Sequence, residues 1–220
     1  LSQIIESKHI SYEKFIYDAV IVDEGQDFRM SWCEILKNLF ETYKNKPVYV
    51  FYDENETIYR REKELPIKEL IYRSEHNNYI FTLRTNIRNT REIHKFSLDI
   101  TGLAINSRSI EINSVIPIDR DFERTEDAFL FLEKVVADLI YKYKISSEQI
   151  VILSNRSIEK SIFANKKNIG EYLIVPTDSF LGKDYIRFRT INEFKGLESD
   201  VVILLFHKRE EEFKNSNKYL

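Results

Sequence analysis

The sequence predicts an α/β fold in which parallel sheets are flanked by helices. Short apolar runs rich in valine, isoleucine and leucine alternate with longer amphipathic stretches, which is the pattern of buried parallel strands connected by helices. Two of these runs end directly in acidic residues, Asp23 and Asp53. Because open α/β sheets bind their ligands at the carboxyl ends of the strands, we expect functional residues at these positions.

The first part of the chain contains two predicted strands with a helix between them. Residues 19–22 form the first strand, and residues 48–52 form the second. Ser31 and Glu34 have the spacing of a capping box, and apolar residues follow at helical intervals. This pattern predicts a helix over residues 32–45.

A domain boundary is predicted near residue 80, because the stretch before it is charged and largely nonperiodic. The first domain would span residues 1–80, and the second would span residues 81–220. The second domain is predicted to contain two helices and five strands.

Asn89 or Thr90 is expected to cap the first helix of the second domain, and Gly102 closes it. The second helix covers about residues 125–144 and directs one apolar face toward a core. That face consists of Phe129, Leu132, Val136, Leu139, Ile140 and Tyr143. The predicted strands cover residues 110–118, 150–153, 172–175, 186–190 and 201–206.

Composition restricts the class of protein. With 220 residues, of which 43% are hydrophobic and 13% aromatic, the chain can form a large core. The single cysteine, Cys33, excludes an internal disulfide and is expected to be a buried thiol in a reducing compartment, by default the cytoplasm. No apolar run is long enough to span a bilayer, and the four histidines lack ligand spacing, so neither a membrane partner nor a zinc site is predicted.

The charge of the chain lacks the basic excess of many nucleic-acid binders, since the net charge is −3 and the pI is near 5.9. Any contact with DNA must therefore come from local basic patches, which otherwise are ordinary solvated faces. The candidate patches are Arg60, Arg61 and Lys63; Arg84, Arg88 and Arg91; and Arg187 and Arg189.

Asp23 and Glu24 form a pair of carboxylates directly after the first strand. An Asp at a strand end can hold Mg²⁺ directly or through water, and an adjacent Glu can orient and deprotonate the water that attacks a γ-phosphate. The alternative is an acidic loop without chemistry. The pair alone does not distinguish the two interpretations.

Four segments, in the same order along the chain, resemble motifs of the superfamily I helicases of the UvrD/Rep type. They are Asp-Glu-Gly-Gln-Asp at 23–27, Phe-Tyr-Asp-Glu-Asn-Glu-Thr-Ile-Tyr at 51–59, Leu-Arg-Thr-Asn-Ile-Arg-Asn-Thr at 83–90, and Thr-Ile-Asn-Glu-Phe-Lys-Gly-Leu-Glu-Ser-Asp-Val-Val at 190–202. They resemble the second, third, fourth and fifth motifs of that family. The resemblance covers most of the chain, and its strength lies in the order of the four segments.

The resemblance implies RecA-like domains, with part of the first and most of the second in this chain, and an ATP-dependent helicase that moves on single-stranded or partly duplex DNA. It implies that Asp23 holds Mg²⁺, that Glu24 is the general base, and that Gln26 links the γ-phosphate to the nucleic-acid side. Arg88 would be the arginine finger, whose positive fork stabilises the charge on the transferred phosphoryl group.

The resemblance also implies positions that bind the nucleotide and the DNA. Those for the nucleotide are Asp53, Glu56, Gly196 and Glu198, the last of which matches a ribose contact. Thr190 and Asn192 match positions that touch single-stranded DNA, so binding should follow the backbone and weaken with salt. Tyr59 is expected either to stack on a base or to pack between domains.

The chain departs from the family pattern at four positions. Glu56 replaces the usual Gln, so an acceptor-only carboxylate stands where an amide could donate to phosphate. Asn192 stands where His is common, Tyr52 where Gly is common, and Ser199 where an apolar residue is common. We therefore expect weaker coupling through position 56.

Two family motifs are absent from the sequence. Nowhere is there a Gly-x-x-x-x-Gly-Lys-Ser/Thr loop, since Gly182 and Lys183 are followed by Asp184. The sixth motif, Tyr-Val-Ala-x-Thr-Arg-Ala, is missing as well. The expectation is a fragment of a compact helicase that hydrolyses ATP poorly by itself and works with the remainder of its parent chain.

Two other readings remain open from the sequence. One is a noncatalytic module that binds nucleic acid or protein and keeps a degenerate helicase fold. The other is a metal-dependent nuclease, because Glu193 and Lys195 follow an Asp at 178 or 184 with Glu-x-Lys spacing. The nuclease reading is weaker, since the same residues belong to the fifth helicase-like segment.

Overall fold

The computed structural model describes residues 18–42, 47–53, 80–102, 108–109, 112, 114–176 and 184–207. The chain divides between Thr82 and Leu83 into two compact units, which are described here one after the other. Unit 1 is Leu1–Thr82 and unit 2 is Leu83–Leu220. The sequence boundary was expected near residue 80.

Unit 1 contains strand β1 (Val20–Val22), helix α1 (Met30–Thr42) and strand β2 (Val48–Val50). The two strands are parallel, with Val20 opposite Val48, which the apolar runs predicted. The expected capping box is wrong, because α1 begins at Met30 and Ser31 therefore lies inside its first turn. Residues 43–46, at the predicted end of this helix, lie outside the described residues.

The described core of unit 1 is small. Val22 and Cys33 are buried, and Val20, Leu36 and Val50 pack against them. The prediction that Cys33 is a buried thiol is confirmed. Because side chains alternate along a strand, one face of the β1–β2 pair contacts α1 while residues of the other face remain exposed.

Unit 2 begins with strand β3 (Thr85–Asn86), helix α2 (Arg91–Thr101) and strand β4 (Arg108–Ser109), with β3 and β4 parallel. The predicted helix ends are confirmed as positions: Thr90 is the N-cap, although its side chain makes no capping hydrogen bond, and Gly102 is the C-cap with a φ of 63°. Its backbone N–H donates to the carbonyl of Leu98. This left-handed conformation explains why a glycine ends the helix.

The strand predicted over residues 110–118 is wrong for the residues described there, 112 and 114–118, which belong to no strand. The segment instead contacts the start of α2. The backbone N–H of Arg91 donates to the carbonyl of Ile112, and the N–H of Ser114 donates to the Glu92 carboxylate. Hydrogen bonds to the helix therefore take the place of a strand ladder.

Helix α3 (Thr125–Ala137) continues into one wide π-helical turn, Asp138–Lys142. Phe129, Leu132 and Val136 are buried as predicted, but Tyr143 is exposed. The prediction for Tyr143 is wrong because a π turn adds a residue to the helical repeat and rotates later side chains away from the core face.

A five-stranded sheet forms the centre of unit 2, in the order β6-β7-β8-β5-β9. Its strands are β5 (Ile150–Ser154), β6 (Asn168–Ile169), β7 (Tyr172–Val175), β8 (Tyr185–Thr190) and β9 (Val201–Leu205). Strands β7, β8, β5 and β9 are parallel, and only β6 pairs in the antiparallel direction. All four parallel strands were predicted, whereas the two-residue β6 carries no sequence signal.

The main core lies between this sheet and α3. Phe163 packs edge-to-face against both Phe129 and Phe188, and Ile152 and Ile186 complete the buried centre. This arrangement confirms a mixed α/β class with a mostly parallel sheet. Within the described parts of the chain, no helix is both long and apolar enough to cross a membrane.

Candidate functional site

The loop after β1 holds its acidic residues in an unusual backbone conformation. Glu24 has φ 52° and ψ 43°, in the left-handed region, although it is not a glycine. For an ordinary residue that conformation costs roughly 1–2 kcal/mol, so the surrounding contacts must hold it. The Glu24 N–H donates to Oδ1 of the exposed Asp23 at 3.0 Å, which ties the two carboxylate residues together.

Gln26 joins this loop to the end of β2. Its side chain is buried, with 6% exposed, and its Nε2 donates to Oε2 of Glu24 at 2.6 Å. Its Oε1 accepts the backbone N–H of Asp53 at 3.0 Å. Two backbone hydrogen bonds support the bridge, from Gly25 N–H to the Phe51 carbonyl and from Phe51 N–H to the Val22 carbonyl.

The two strand ends that carry acidic residues, Asp23 and Asp53, are therefore adjacent in unit 1. Among the residues that the structure describes, no group of three or more His, Cys, Asp or Glu side chains is arranged to hold a metal. Mg²⁺ is commonly held by one or two carboxylates together with water and phosphate oxygens. Asp23, exposed directly after the strand, fits that requirement.

In unit 2, Arg88 is placed by a turn after β3. Oδ1 of Asn86 accepts the backbone N–H groups of both Arg88 and Asn89, at 3.2 and 3.1 Å, which is an Asx turn. The sequence reading did not assign this role to Asn86. The residue type is a signal for this role, because Asn side chains often accept a backbone N–H two residues further along the chain.

Arg88 and Glu198 lie together. Nε of Arg88 is 3.5 Å from Oε2 of Glu198, with 66% and 77% of the two side chains exposed. They line an open cleft of about 520 Å³ with Arg187, Phe194, Gly196 and Leu197. Gly196 has φ +79°, which requires a glycine, and no atom lies within 4 Å of the position its Cβ would take.

Thr190 and Glu193 form a capping box at the end of β8. The Thr190 hydroxyl accepts the Glu193 N–H, and the Thr190 N–H donates to Oε2 of Glu193 at 2.9 Å. The hydrogen bond from that backbone N–H, followed by the one from the hydroxyl, lowers the pKa of Glu193 below its ordinary value. A carboxylate engaged in this way is poorly placed as a metal ligand, which weakens the nuclease reading. Asn192, beside it, is exposed.

The expected basic patch at Arg187 and Arg189 is wrong as an exposed surface. Arg189 is 6% exposed and donates to the carbonyls of Pro176 and Phe188. Nη2 of Arg187 donates to the Glu148 carbonyl at 2.7 Å. Both guanidinium groups therefore hold the sheet to its loops, whereas Arg84, Arg88 and Arg91 are exposed. Glu56, Tyr59, Arg60, Arg61 and Lys63 lie outside the described residues.

The loop before β9 is fixed to the turn before β5 by Gln149. Its Nε2 donates to Oδ2 of Asp200 at 2.9 Å, and its Oε1 accepts the Ser146 N–H at 3.0 Å. The hydroxyl of Ser199 donates to the Gln149 carbonyl at 2.8 Å. This contact gives the Ser199 hydroxyl a structural role.

No protein-family model matches this chain, and no match appears among the curated proteins. The fold and the geometry of the two residue groups are therefore the basis for the functional interpretation.

Proposed function

We propose that this chain is part of an ATP-dependent DNA helicase or translocase, with part of one RecA-like domain in unit 1 and most of a second in unit 2. The observation that carries the proposal is the Gln26 bridge, which joins Glu24 to the backbone of Asp53. The ends of two parallel strands thereby present a set of carboxylates at one edge of a sheet. The four ordered segments that resemble UvrD/Rep motifs supply the reaction class.

In this proposal the reaction is attack of water on the γ-phosphorus of ATP. Glu24 orients the water and takes its proton, while the bond from the γ-phosphorus to the bridging oxygen breaks to give ADP and phosphate. Mg²⁺, when bound, would neutralise charge on the phosphate oxygens. Asp23 is the residue of this chain that would hold it.

Arg88 supplies positive charge for the transferred phosphoryl group. Its guanidinium is exposed, and its backbone is fixed by Asn86, so the side chain can reach a ligand without breaking a buried contact. Glu198, beside it, is the proposed partner of the ribose hydroxyls. Gly196 allows the sharp turn that brings Glu198 to the same cleft.

Single-stranded DNA is the proposed partner of the same motor. Asn192 is exposed, so its amide can contact a phosphate or base, and Thr190, two residues earlier at the end of β8, is the second proposed contact. Exposed arginines such as Arg84 add charge. Such contacts follow the backbone, so affinity should fall steeply with salt and vary little with sequence.

The decisive experiment is the single-strand-stimulated ATPase activity of the complete open reading frame that contains this chain. Glu24→Gln should lower kcat by about 10²- to 10⁴-fold, the usual contribution of a general base. Glu34→Gln, at an exposed glutamate of α1 in the same unit, is the matched control and should retain activity. The isolated chain should hydrolyse ATP poorly, since its sequence contains no phosphate-binding loop.

Two outcomes would contradict the proposal. The first is a complete protein without ATPase activity that still binds single-stranded DNA, which would identify a noncatalytic binding module. The second is full activity in Glu24→Gln, which would remove the proposed base. Robust ATPase activity of the isolated chain that Glu24→Gln abolishes would instead overturn the expectation of an incomplete site.

A further inference from the structure

We propose that Gln26 is a positioning residue, which fixes the Glu24 carboxylate and makes its position depend on the backbone at the end of β2. This inference rests on the proposed function, because it concerns the base of the same reaction. It changes the role implied by the family resemblance, in which Gln26 would link the γ-phosphate to the nucleic-acid side. The Gln26 amide is buried and is bonded at both ends, to Glu24 and to the backbone of Asp53, which supports a role within the loop.

The orientation of the Gln26 amide follows from its partners. The backbone N–H of Asp53 can only donate, so the atom facing it must be Oε1. Nε2 then faces Glu24, whose carboxylate oxygen accepts at 2.6 Å. Reversing the amide would place donor against donor at Asp53 and acceptor against acceptor at Glu24. Only one orientation satisfies both contacts, and it gives the carboxylate one defined position.

Glu24 needs this support because its backbone lies in the left-handed region. A residue in a sparsely populated conformation stays there only when its surroundings determine it. Its contacts include the Asp23 carboxylate on the Glu24 N–H and the Asp27 N–H on the Glu24 carbonyl. Two further contacts reach beyond the loop: the Gln26 amide on the side chain and the Gly25 N–H bond to the Phe51 carbonyl on the backbone. Both lead to β2 or to the residues directly after it.

The bridge therefore couples two motifs that are separate in sequence. Asp53 belongs to the segment that resembles the third family motif, and its N–H holds the far end of the Gln26 amide. A displacement of that backbone would move Nε2 and, with it, the carboxylate of Glu24. A misplacement of about 1 Å can reduce a rate by about 100-fold, so a small shift is sufficient.

The test is steady-state ATPase kinetics of the complete reading frame with two substitutions, Gln26→Met and Gln26→Glu. Methionine keeps the length and removes both hydrogen bonds, whereas glutamate keeps the acceptor for Asp53 and loses the donor to Glu24. Both should lower kcat by about 10- to 100-fold, with KM for ATP changed less than about twofold, because the effect is on the base rather than on binding.

Gln149 offers a matched control in unit 2. It has the same bonding pattern, with Oε1 accepting a backbone N–H and Nε2 donating to a carboxylate, but it takes no part in the proposed reaction. Because Gln149 is exposed and Gln26 is buried, Gln149→Met should lower the melting temperature less than Gln26→Met and leave kcat unchanged. Melting curves of both variants separate loss of folding from loss of positioning.

The outcomes distinguish this inference from the proposed function. If Glu24→Gln abolishes turnover while both Gln26 variants fold and keep the kcat of the unsubstituted protein, the positioning role is overturned and the function stands. If Glu24→Gln has no effect, the function fails, and the inference fails with it. If Gln26→Met raises KM in proportion to its loss of kcat/KM, Gln26 binds nucleotide and the positioning role is again overturned.

Discussion

The two groups of proposed site residues are built in opposite ways. In unit 1, Gln26 is buried and both ends of its amide are bonded, so Glu24 is held in place by contacts within the described chain. In unit 2, Arg88 and Glu198 are mostly exposed and share one ion-pair contact of 3.5 Å. One group is fixed before any ligand arrives, whereas the other is free to rearrange.

The sizes of the described cores do not follow the same order: the fixed group lies beside the smaller core, and the exposed group lies in the unit with the larger core. The fixed group lies beside a described core that contains Val22 and Cys33 as its buried members. The exposed group lies in a unit whose sheet and α3 enclose many more buried side chains. The difference teaches that the precision of a site depends on its local hydrogen bonds, and that a large core nearby does not by itself fix surface side chains.

The largest expected effect tests the exposed group. Arg88→Ala should lower kcat of the complete protein by about 10³- to 10⁵-fold, because an arginine finger typically contributes that much to kcat. Its effect on the free energy of unfolding should stay below about 1 kcal/mol, since exposed ion pairs contribute little.

Arg124→Ala is the matched control for Arg88→Ala. Arg124 forms another exposed pair in unit 2, with Asp127, at 2.9 Å. Its removal should leave kcat unchanged. Equal losses of activity in the two variants would show that Arg88 has no special role in the reaction. The exposed group in unit 2 would then not be a site group, and its comparison with the Gln26 group would no longer hold.

The next effect concerns the large core. Phe163→Ala should destabilise unit 2 by about 3–5 kcal/mol, because it removes a buried ring that contacts both α3 and β8. Leu130→Ala, at a residue of α3 that is 62% exposed, is the control and should change the free energy of unfolding by less than about 0.5 kcal/mol. Urea unfolding followed by circular dichroism measures both. Similar losses of unfolding free energy in the two variants would show that Phe163 is not part of the stabilising core of unit 2.

Much of the fold could be predicted from the sequence, because its signals are local. Val201 to Leu205 and Ile150 to Ser154 are strands whose apolar runs identify them without neighbours. The failures arose where a distant contact decided the structure. Residues near Ser114 bond to helix α2 in place of a strand partner, and a π turn in the helix moved Tyr143 away from the core. Neither effect is visible in hydrophobic periodicity.

For the candidate site, too, local features could be predicted from the sequence, whereas features that depend on distant contacts could not. Asp23 and Asp53 could be placed at strand ends from sequence, since parallel strands align their carboxyl ends. The bridging role of Gln26 could not, because it depends on a hydrogen bond across 27 positions. Arg189 looked like part of a basic patch, but its guanidinium is buried against two carbonyl groups. Charge in a sequence does not reveal which side chains turn inward.

A smaller effect tests how the cleft of unit 2 is shaped. Gly196→Ala should cost roughly 1 kcal/mol, entirely from its positive φ, because no atom would contact the new Cβ. Gly170→Ala is the matched control, with φ +55° and the same open space. Both should lower stability alike in thermal unfolding, but only Gly196→Ala should raise KM for ATP. A raised KM in both variants would show that the turn at Gly196 has no specific role in nucleotide binding at the cleft.

The smallest effect concerns Glu193, whose pKa is lowered mainly by the Thr190 backbone N–H. Because the pKa is lower in the folded chain, its stabilisation is present above the ordinary value of 4.5 and is lost as the pH falls through the folded pKa. Glu193→Gln keeps an acceptor for the N–H but carries no charge. Its urea midpoint should lie slightly below that of the unsubstituted chain at pH values above 4.5, and the difference should shrink as the pH is lowered further. Glu123→Gln controls for the loss of one surface charge. A difference that persists at the lower pH would show that the cap acts through shape alone, and that this end of β8 is held without the charge of its carboxylate.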